Sequence, residues 1–160
     1  MRILTLGNET LKQKAEPVKK IGPEYAELAE KFFSVLQGEE AIGIAGPQLG
    51  IGERIFAVHV QGDIPRFFIN PSIIETSEET GKFEEGCLSI PKVYCDVTRP
   101  KRIKVQAWNE TGRPFTIEAD GILARVILHE YDHLEGILFI DRIPEQKRKR
   151  ILAKFEKANL

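Results

Sequence analysis

Two of the chain's three histidines lie four residues apart, in His129-Glu130-Tyr131-Asp132-His133. On a helix this spacing puts both imidazoles on one face, about 6 Å apart along the axis. They can then share one divalent metal, with Glu130 beside it to take a proton from a bound water. This is the H-E-x-x-H arrangement of metal-dependent hydrolases. A tetrahedral catalytic site also needs a third protein ligand and an open fourth position. The acids downstream, Glu135, Asp141, Glu145 and Glu156, are closely spaced among charged residues and fit a solvated face better than a ligand. Cys87 is the stronger candidate, because Gly86 beside it in Glu85-Gly86-Cys87-Leu88-Ser89 exposes backbone. Cys95 sits in an alternating strand segment and reads as a small core residue. His59, far along a strand, reads as structural.

These residues need elements to hold them. A helix is expected from about Gly121 to Leu134, with Asp120 as N-cap and Gly136 as stop. Its apolar residues run almost all round, so it belongs in a core. A histidine pair inside such a helix is either coordinated or costly to bury. An earlier helix is expected over Glu24–Gln37, after Pro23 and ending at Gly38. The stretch Gly43–Gly50 is rich in glycine and reads as irregular backbone that can approach a ligand closely. Strands are expected at Arg54–Val60, Arg66–Asn70, Tyr94–Thr98, Arg102–Trp108 and Pro114–Ala119, with Ser72–Thr76 and Thr80–Glu84 as a polar hairpin. A basic helix closes the chain over about Glu145–Asn159. The expected fold is α+β: antiparallel strands packed around a central metal-binding helix, with a helix at each end, in a single domain spanning 1–160.

Composition narrows the function classes. The net charge of −1 offers no overall field for nucleic acid, and no DNA partner is expected. Residues 145–160 carry +4, leaving −5 on the rest, a split that suggests separate contacts for the basic segment. No apolar run approaches membrane-spanning length. Two cysteines and no secretory leader point to a reducing cytoplasm.

Three segments occur in order: Gly43-Ile44-Ala45-Gly46-Pro47-Gln48, Glu85-Gly86-Cys87-Leu88-Ser89 and His129-Glu130-Tyr131-Asp132-His133. Together they closely resemble the three signature motifs of the peptide deformylases. Val97-Thr98-Arg99-Pro100 and Glu118-Ala119-Asp120-Gly121 extend the resemblance over most of the chain. One departure is Gly46, where the family often has a second alanine.

The resemblance implies Cys87, His129 and His133 as metal ligands, a thiolate and two imidazoles that leave one position for water. It implies hydrolysis of the N-terminal formyl group of N-formyl-methionyl nascent peptides, with release of formate. Metal-bound water attacks the formyl carbon and Glu130 serves as general base, while Gln48 and the Leu88 backbone N–H contact the developing oxyanion. An extended peptide is expected to pair with backbone near Ile42–Gly43 and Gly86. Ile42, Gly43, Ile122 and Val126 would wall an apolar slot for methionine, and Arg99 would pair with Glu85 to orient the Cys87 loop. The ligand set accepts Zn2+, Ni2+, Co2+ or Fe2+, and the resemblance points to Fe2+ in cells. It also suggests ribosome docking by the basic C-terminal helix. Two rival readings share the histidine motif: an H-E-x-x-H metallopeptidase, and a non-catalytic metal-stabilised module that only binds ribosomes.

Overall fold

A computed structural model describes residues 1–158. In chain order the elements are α1 (Glu24–Glu39), β1 (Gly43–Ala45), β2 (Ile55–Val58), β3 (Arg66–Thr76), β4 (Thr80–Cys87), β5 (Ile90–Pro100), β6 (Arg102–Trp108), β7 (Pro114–Asp120), α2 (Gly121–Leu134) and α3 (Glu145–Ala158). Five strands form one antiparallel sheet in the order β1-β2-β3-β6-β7, while β4 and β5 pair with each other as a separate antiparallel hairpin. The chain is therefore α+β, as its sequence predicts.

The sheet is covered on both faces. On α1, Tyr25, Ala29, Phe32 and Leu36 are buried at helical spacing and pack with Ile55, Ala57, Phe67 and Ile69. Phe32 meets Phe67 edge to face at 5.3 Å, a favoured aromatic geometry. On the opposite face Phe56, Val58 and Phe68 pack with Ala124, Val126 and Ile127 of α2. Alternate residues of β2 serve the two cores, so all four of its residues are buried. The hairpin covers the far side of α2. A third cluster joins Ile90, Cys95 and Val97 of β5 to Leu138, Phe139 and Ile140, with Ile151, Leu152 and Phe155 of α3 packed against it. Cys95 lies there as a buried apolar neighbour, and burial raises its thiol pKa.

Several boundaries differ from expectation. The polar hairpin of Ser72–Thr76 with Thr80–Glu84 does not form: the former continues β3 and pairs with β6, and the latter pairs with β5. Asn70 at φ 50°, followed by Pro71, kinks β3 and shifts its register, and the Asn70 amide bonds both the N–H and the C=O of Val18. Helix α1 runs past Gly38. Glu40 takes the left-handed conformation, and the N–H groups of Glu40 and Ala41 reach the Gln37 and Leu36 carbonyls. Those bonds satisfy the helix's last carbonyls and offset the cost of φ 52° at a non-glycine residue. The Gly43–Gly50 stretch is ordered: β1 leads into a 3-10 turn, Gly46–Leu49, that ends on Gly50 at φ 77°. Asp120 occupies the N-cap position of α2 without a side-chain capping bond. Asn159, the expected last residue of the basic helix, lies outside the described residues.

Tyr25 gives the fold a test in alkali. Its hydroxyl donates to Glu53, 2.9 and 3.0 Å from the two carboxylate oxygens. Burial, then the Glu53 hydrogen bond and charge, push its pKa from 10.0 up to about 12. A phenol held protonated in this way contributes stability fully below pH 10, and loses it as pH rises through about 12. Tyr25→Phe is expected to cost about 1.5 kcal/mol at pH 7. The parent's advantage should then shrink between pH 10 and 12, read by urea unfolding at a series of pH values.

Candidate metal centre

Helix α2 carries two imidazoles and a carboxylate to the sheet–hairpin junction. Residues 121–128 are apolar apart from Arg125, and they bury this helix deeply enough that His129, Glu130, Asp132 and His133 are all buried. Cys87 reaches the same point from the end of β4. The hairpin register breaks there, with Gly86 opposite Tyr94 but Cys87 opposite Ile90, so β5 carries extra residues around Lys92 at φ 66°. Such a bulge re-aims a side chain without ending the pairing. The result is one group, Cys87, His129 and His133, whose ligand atoms all lie within 4.8 Å of one another. Cys87 Sγ is 3.4 Å from His133 Nε2.

The surroundings fit a cation. One thiolate and two imidazoles make a soft, three-donor set typical of transition-metal sites. His129 Nδ1 lies 2.8 Å from Glu85 Oε1, which fixes the tautomer with Nε2 free for a metal. Burial raises the Glu85 pKa, but hydrogen bonds from His129 and Arg99 outweigh it and hold the carboxyl near 2. Arg99 pairs with Glu85 through Nε (2.7 Å) and Nη2 (3.0 Å), and reaches Asp132 through Nη1 (2.9 Å). Arg142 also clamps Asp132, the residue before His133, at 2.7 and 3.0 Å. Burial is the largest influence on His133 and holds its pKa well down.

Glu130 stands apart from this ion-pair network. Burial pushes its pKa up to about 7, the nearby cationic groups opposing. Its Oε1 is buried with no hydrogen-bond partner among the described residues. Its Oε2 lies against Gly43, where a Cβ would come within 2.5 Å. The carboxylate is therefore packed by a bare glycine on one side and left with proton-accepting capacity on the other.

Gln48 is oriented by its own backbone. Oε1 accepts from the Ala45 N–H at 2.9 Å, which leaves Nε2 facing Cys87 Sγ at 3.4 Å and Ser89 Oγ at 3.1 Å. The chain's first residues hold this corner together: Leu4 N–H donates to the Gln48 carbonyl and Leu6 N–H to that of Ser89.

A cleft of about 750 Å³ opens over the centre, lined by Ile42, Gly43, Gln48, Gly86, Leu88, Ile122, Val126 and Glu130 among others. Val126 is buried, but Ile122 is 61% and Ile42 42% exposed. Both are expected from sequence as walls of an apolar slot, and they stand at the open apolar rim of this cleft. The His59 N–H donates to the Ile42 carbonyl, and 42 and 59 continue the register of β1 with β2. Antiparallel alternation then turns the N–H and C=O of Gly43 away from β2. The Ile42 carbonyl is thus occupied, and the Gly43 backbone is the part of that pair free to meet an extended ligand.

Phe83 and Tyr94, each 66% exposed, complete the rim from the hairpin, and the Tyr94 ring covers Gly86. Sequence reasoning passed over both, together with Ser89, Arg125 and Asp132. The readable signal was Arg125, a lone charge in an apolar helical run. Asp132 was hidden between the two histidines it helps to fix.

The family model described as polypeptide deformylase matches residues 1–149. A peptide deformylase of Treponema pallidum (strain Nichols) is 45% identical over 155 residues, 97% of this chain and 95% of that protein. One from Neisseria meningitidis serogroup B is 42% identical over 159 residues, 98% of this chain and 95% of its own. Among solved structures, a peptide deformylase from Legionella pneumophila superposes with a TM-score of 0.91 at 32% identity, covering 99% of this chain and 94% of that one. The Synechococcus elongatus peptide deformylase in complex with actinonin gives 0.90 at 36% identity, covering 96% and 86%.

Proposed function

The chain belongs to the polypeptide deformylase family, and from that premise we propose how its residues divide the work. The enzyme removes the formyl group from an N-terminal methionine. The observation that carries the assignment of roles is the convergence of Cys87, His129 and His133 beside an unpartnered buried carboxylate oxygen.

Cys87, His129 and His133 would hold a divalent cation. When bound, it supplies Lewis-acid activation of water, lowering the water's pKa from about 15.7 toward about 7. Glu130 takes the proton of the attacking water at Oε1 and passes a proton to the leaving amine. A pKa near 7 suits a group that both accepts and returns a proton. The Gln48 amide and the Leu88 backbone N–H donate to the oxygen that gains charge, and Gln48 is preorganised for this by its bond to Ala45. Glu85 and Arg99 keep His129 oriented. The peptide lies extended against the Gly43 backbone and Gly86, with its methionine among Ile42, Gly43, Ile122 and Val126. The soft donor set accepts Fe2+, our choice in cells, as well as Zn2+, Ni2+ or Co2+.

The substrate is the formylated nascent peptide, met in the cytoplasm, a placement supported by two free cysteines. No described helix is long and apolar enough to cross a membrane. The chain acts as one domain, a reading supported by α2, which packs on both the sheet and the hairpin. The basic residues of α3 give the ribosome an electrostatic handle. The metallopeptidase and non-catalytic alternatives are not favoured: the third donor is an upstream cysteine and the centre has a base at hand.

The test is formate release from formyl-Met-Ala-Ser by anaerobically purified protein of assayed metal content. Turnover is expected, and a fully metallated protein that releases no formate would overturn the reading. Gly43→Ala probes the packing around Glu130. Its Cβ would lie 2.5 Å from Glu130 Oε2 and 2.7 Å from Val126 Cγ2, so the carboxylate must move. Turnover is expected to fall about 100-fold with the fold retained, the scale of a 1 Å misplacement of a reacting group, as read by kcat beside the thermal midpoint.

A further inference from the structure

The metal centre draws its donors from two separate pieces of structure. Cys87 belongs to the β4–β5 hairpin, and His129 and His133 to α2. The hairpin shares no ladder with the five-stranded sheet, so something other than sheet pairing must set the distance between thiolate and imidazoles.

Arg125 spans that gap. Its Nη1 donates to Glu85 Oε2 at 2.7 Å and to the Val97 carbonyl at 2.9 Å, and its Nη2 donates to the Gly81 carbonyl at 2.9 Å. Gly81 lies on β4 and Val97 on β5, so a single helix residue bonds both strands of the hairpin. Its side chain is 16% exposed, and the Phe83 ring covers the guanidinium at 5.4 Å. Arg125 also lies one helical turn before His129, on the same face. The Glu85 carboxylate is therefore held between two residues of one helix, with Oε2 on Arg125 and Oε1 on His129 Nδ1.

We propose that Arg125 is a positioning residue of the metal centre: it rivets the hairpin that carries Cys87 to the helix that carries His129 and His133, and it aims Glu85 at His129. This rests on the metal-centre reading above. Arg99, itself on β5, holds Glu85 from the other side and also crosses to the helix at Asp132, but its described bonds end on those two carboxylates, whereas Arg125 also grips the backbone of both strands. Only a planar guanidinium can serve a carboxylate and two carbonyls in fixed directions at once; an ammonium on a flexible stem cannot.

The test loads the parent, Arg125→Met and Arg125→Lys with Co2+. Methionine fills the space without donating, and lysine can reach Glu85 but not both carbonyls. Three readings are taken on each: thermal midpoint, rate of Co2+ loss into excess chelator, and the visible absorption of the Co2+–thiolate centre. Folded Arg125→Met is expected to lose Co2+ about 10–100-fold faster, the usual effect of removing support behind a metal ligand, with a shifted absorption. Arg125→Lys should fall between it and the parent. A lowered midpoint with parental Co2+ loss and spectrum, in either variant, would overturn the proposal and leave Arg125 a packing residue. If Arg125→Met does not fold, Arg125→Lys decides on the same criteria. A parent that binds Co2+ yet releases no formate would sink the deformylase assignment instead, and the comparison of Co2+ loss would still be read.

Discussion

Glu130→Ala is expected to lower formate release by about 100- to 10,000-fold, the range that a positioned general base contributes, while its metal content matches the parent's. The structure separates these two outcomes. The three atoms that could hold a metal are Cys87 Sγ and a nitrogen each from His129 and His133. Glu130 accepts no hydrogen bond from any of those residues, and its Oε1 has no partner among the described residues. Removing it should therefore leave the donors in place. The methylene and carboxylate lost beside Gly43 and Val126 leave a small gap, with a stability cost below that of truncating a large apolar side chain. Formate assays with metal analysis on both proteins decide the matter. A metallated variant with parental turnover would remove Glu130 from the reaction, and a variant stripped of metal would make it a site-stabilising residue.

Arg99→Ala carries the largest expected cost in stability, about 3–5 kcal/mol, because it breaks a buried ion pair and takes one cationic partner from each of two buried carboxylates. Arg99 is 4% exposed and satisfies Glu85 through two nitrogens and Asp132 through a third. Without it Glu85 keeps Arg125 and His129, and Asp132 keeps Arg142. The pH dependence follows from Glu85, whose folded pKa near 2 lies below its ordinary 4.5. A depressed carboxyl contributes stability that is present above 4.5 and lost as pH falls through about 2. Arg99→Ala weakens that depression, so its acid unfolding should begin at higher pH than the parent's. Urea unfolding from pH 3 to 7 measures both effects. An Arg99→Ala protein as stable as the parent, with unchanged metal retention, would show the pair to be dispensable. Lysine should rescue little, since one ammonium cannot reproduce the two-pronged contact.

The chemistry of the centre was largely legible in the chain. The spacing of His129 and His133, the glycine beside Cys87 and the apolar run before them are local features, and local periodicity reports them. What resisted reading depends on partners distant in sequence. The segment Ser72–Thr76 has the same alternating polar character whether it pairs with Thr80–Glu84 or with β6; the kink at Asn70 and its bonds to Val18 decide, and neither is a local signal. Glu40 looks like an ordinary helical residue, yet it ends α1 in a conformation that glycine usually supplies. Ile42 and Ile122 have the composition of core residues, and only the opening between α2 and the hairpin puts them on a rim. Arg125, passed over in the sequence, is a charge in an apolar run, and the two carbonyls it bonds lie 28 and 44 residues away.

The backbone bonds of Leu4 and Leu6 to the Gln48 and Ser89 carbonyls place the first residues of the chain against two loops of the candidate site, and Ile3 lines the cleft itself. An affinity tag, a cloning scar or proteolytic trimming at this end is therefore not a neutral handle. Each alters the support behind Gln48, the proposed oxyanion donor, as directly as a substitution in the site would. Preparations that differ only in what precedes Leu4 would then give different turnover.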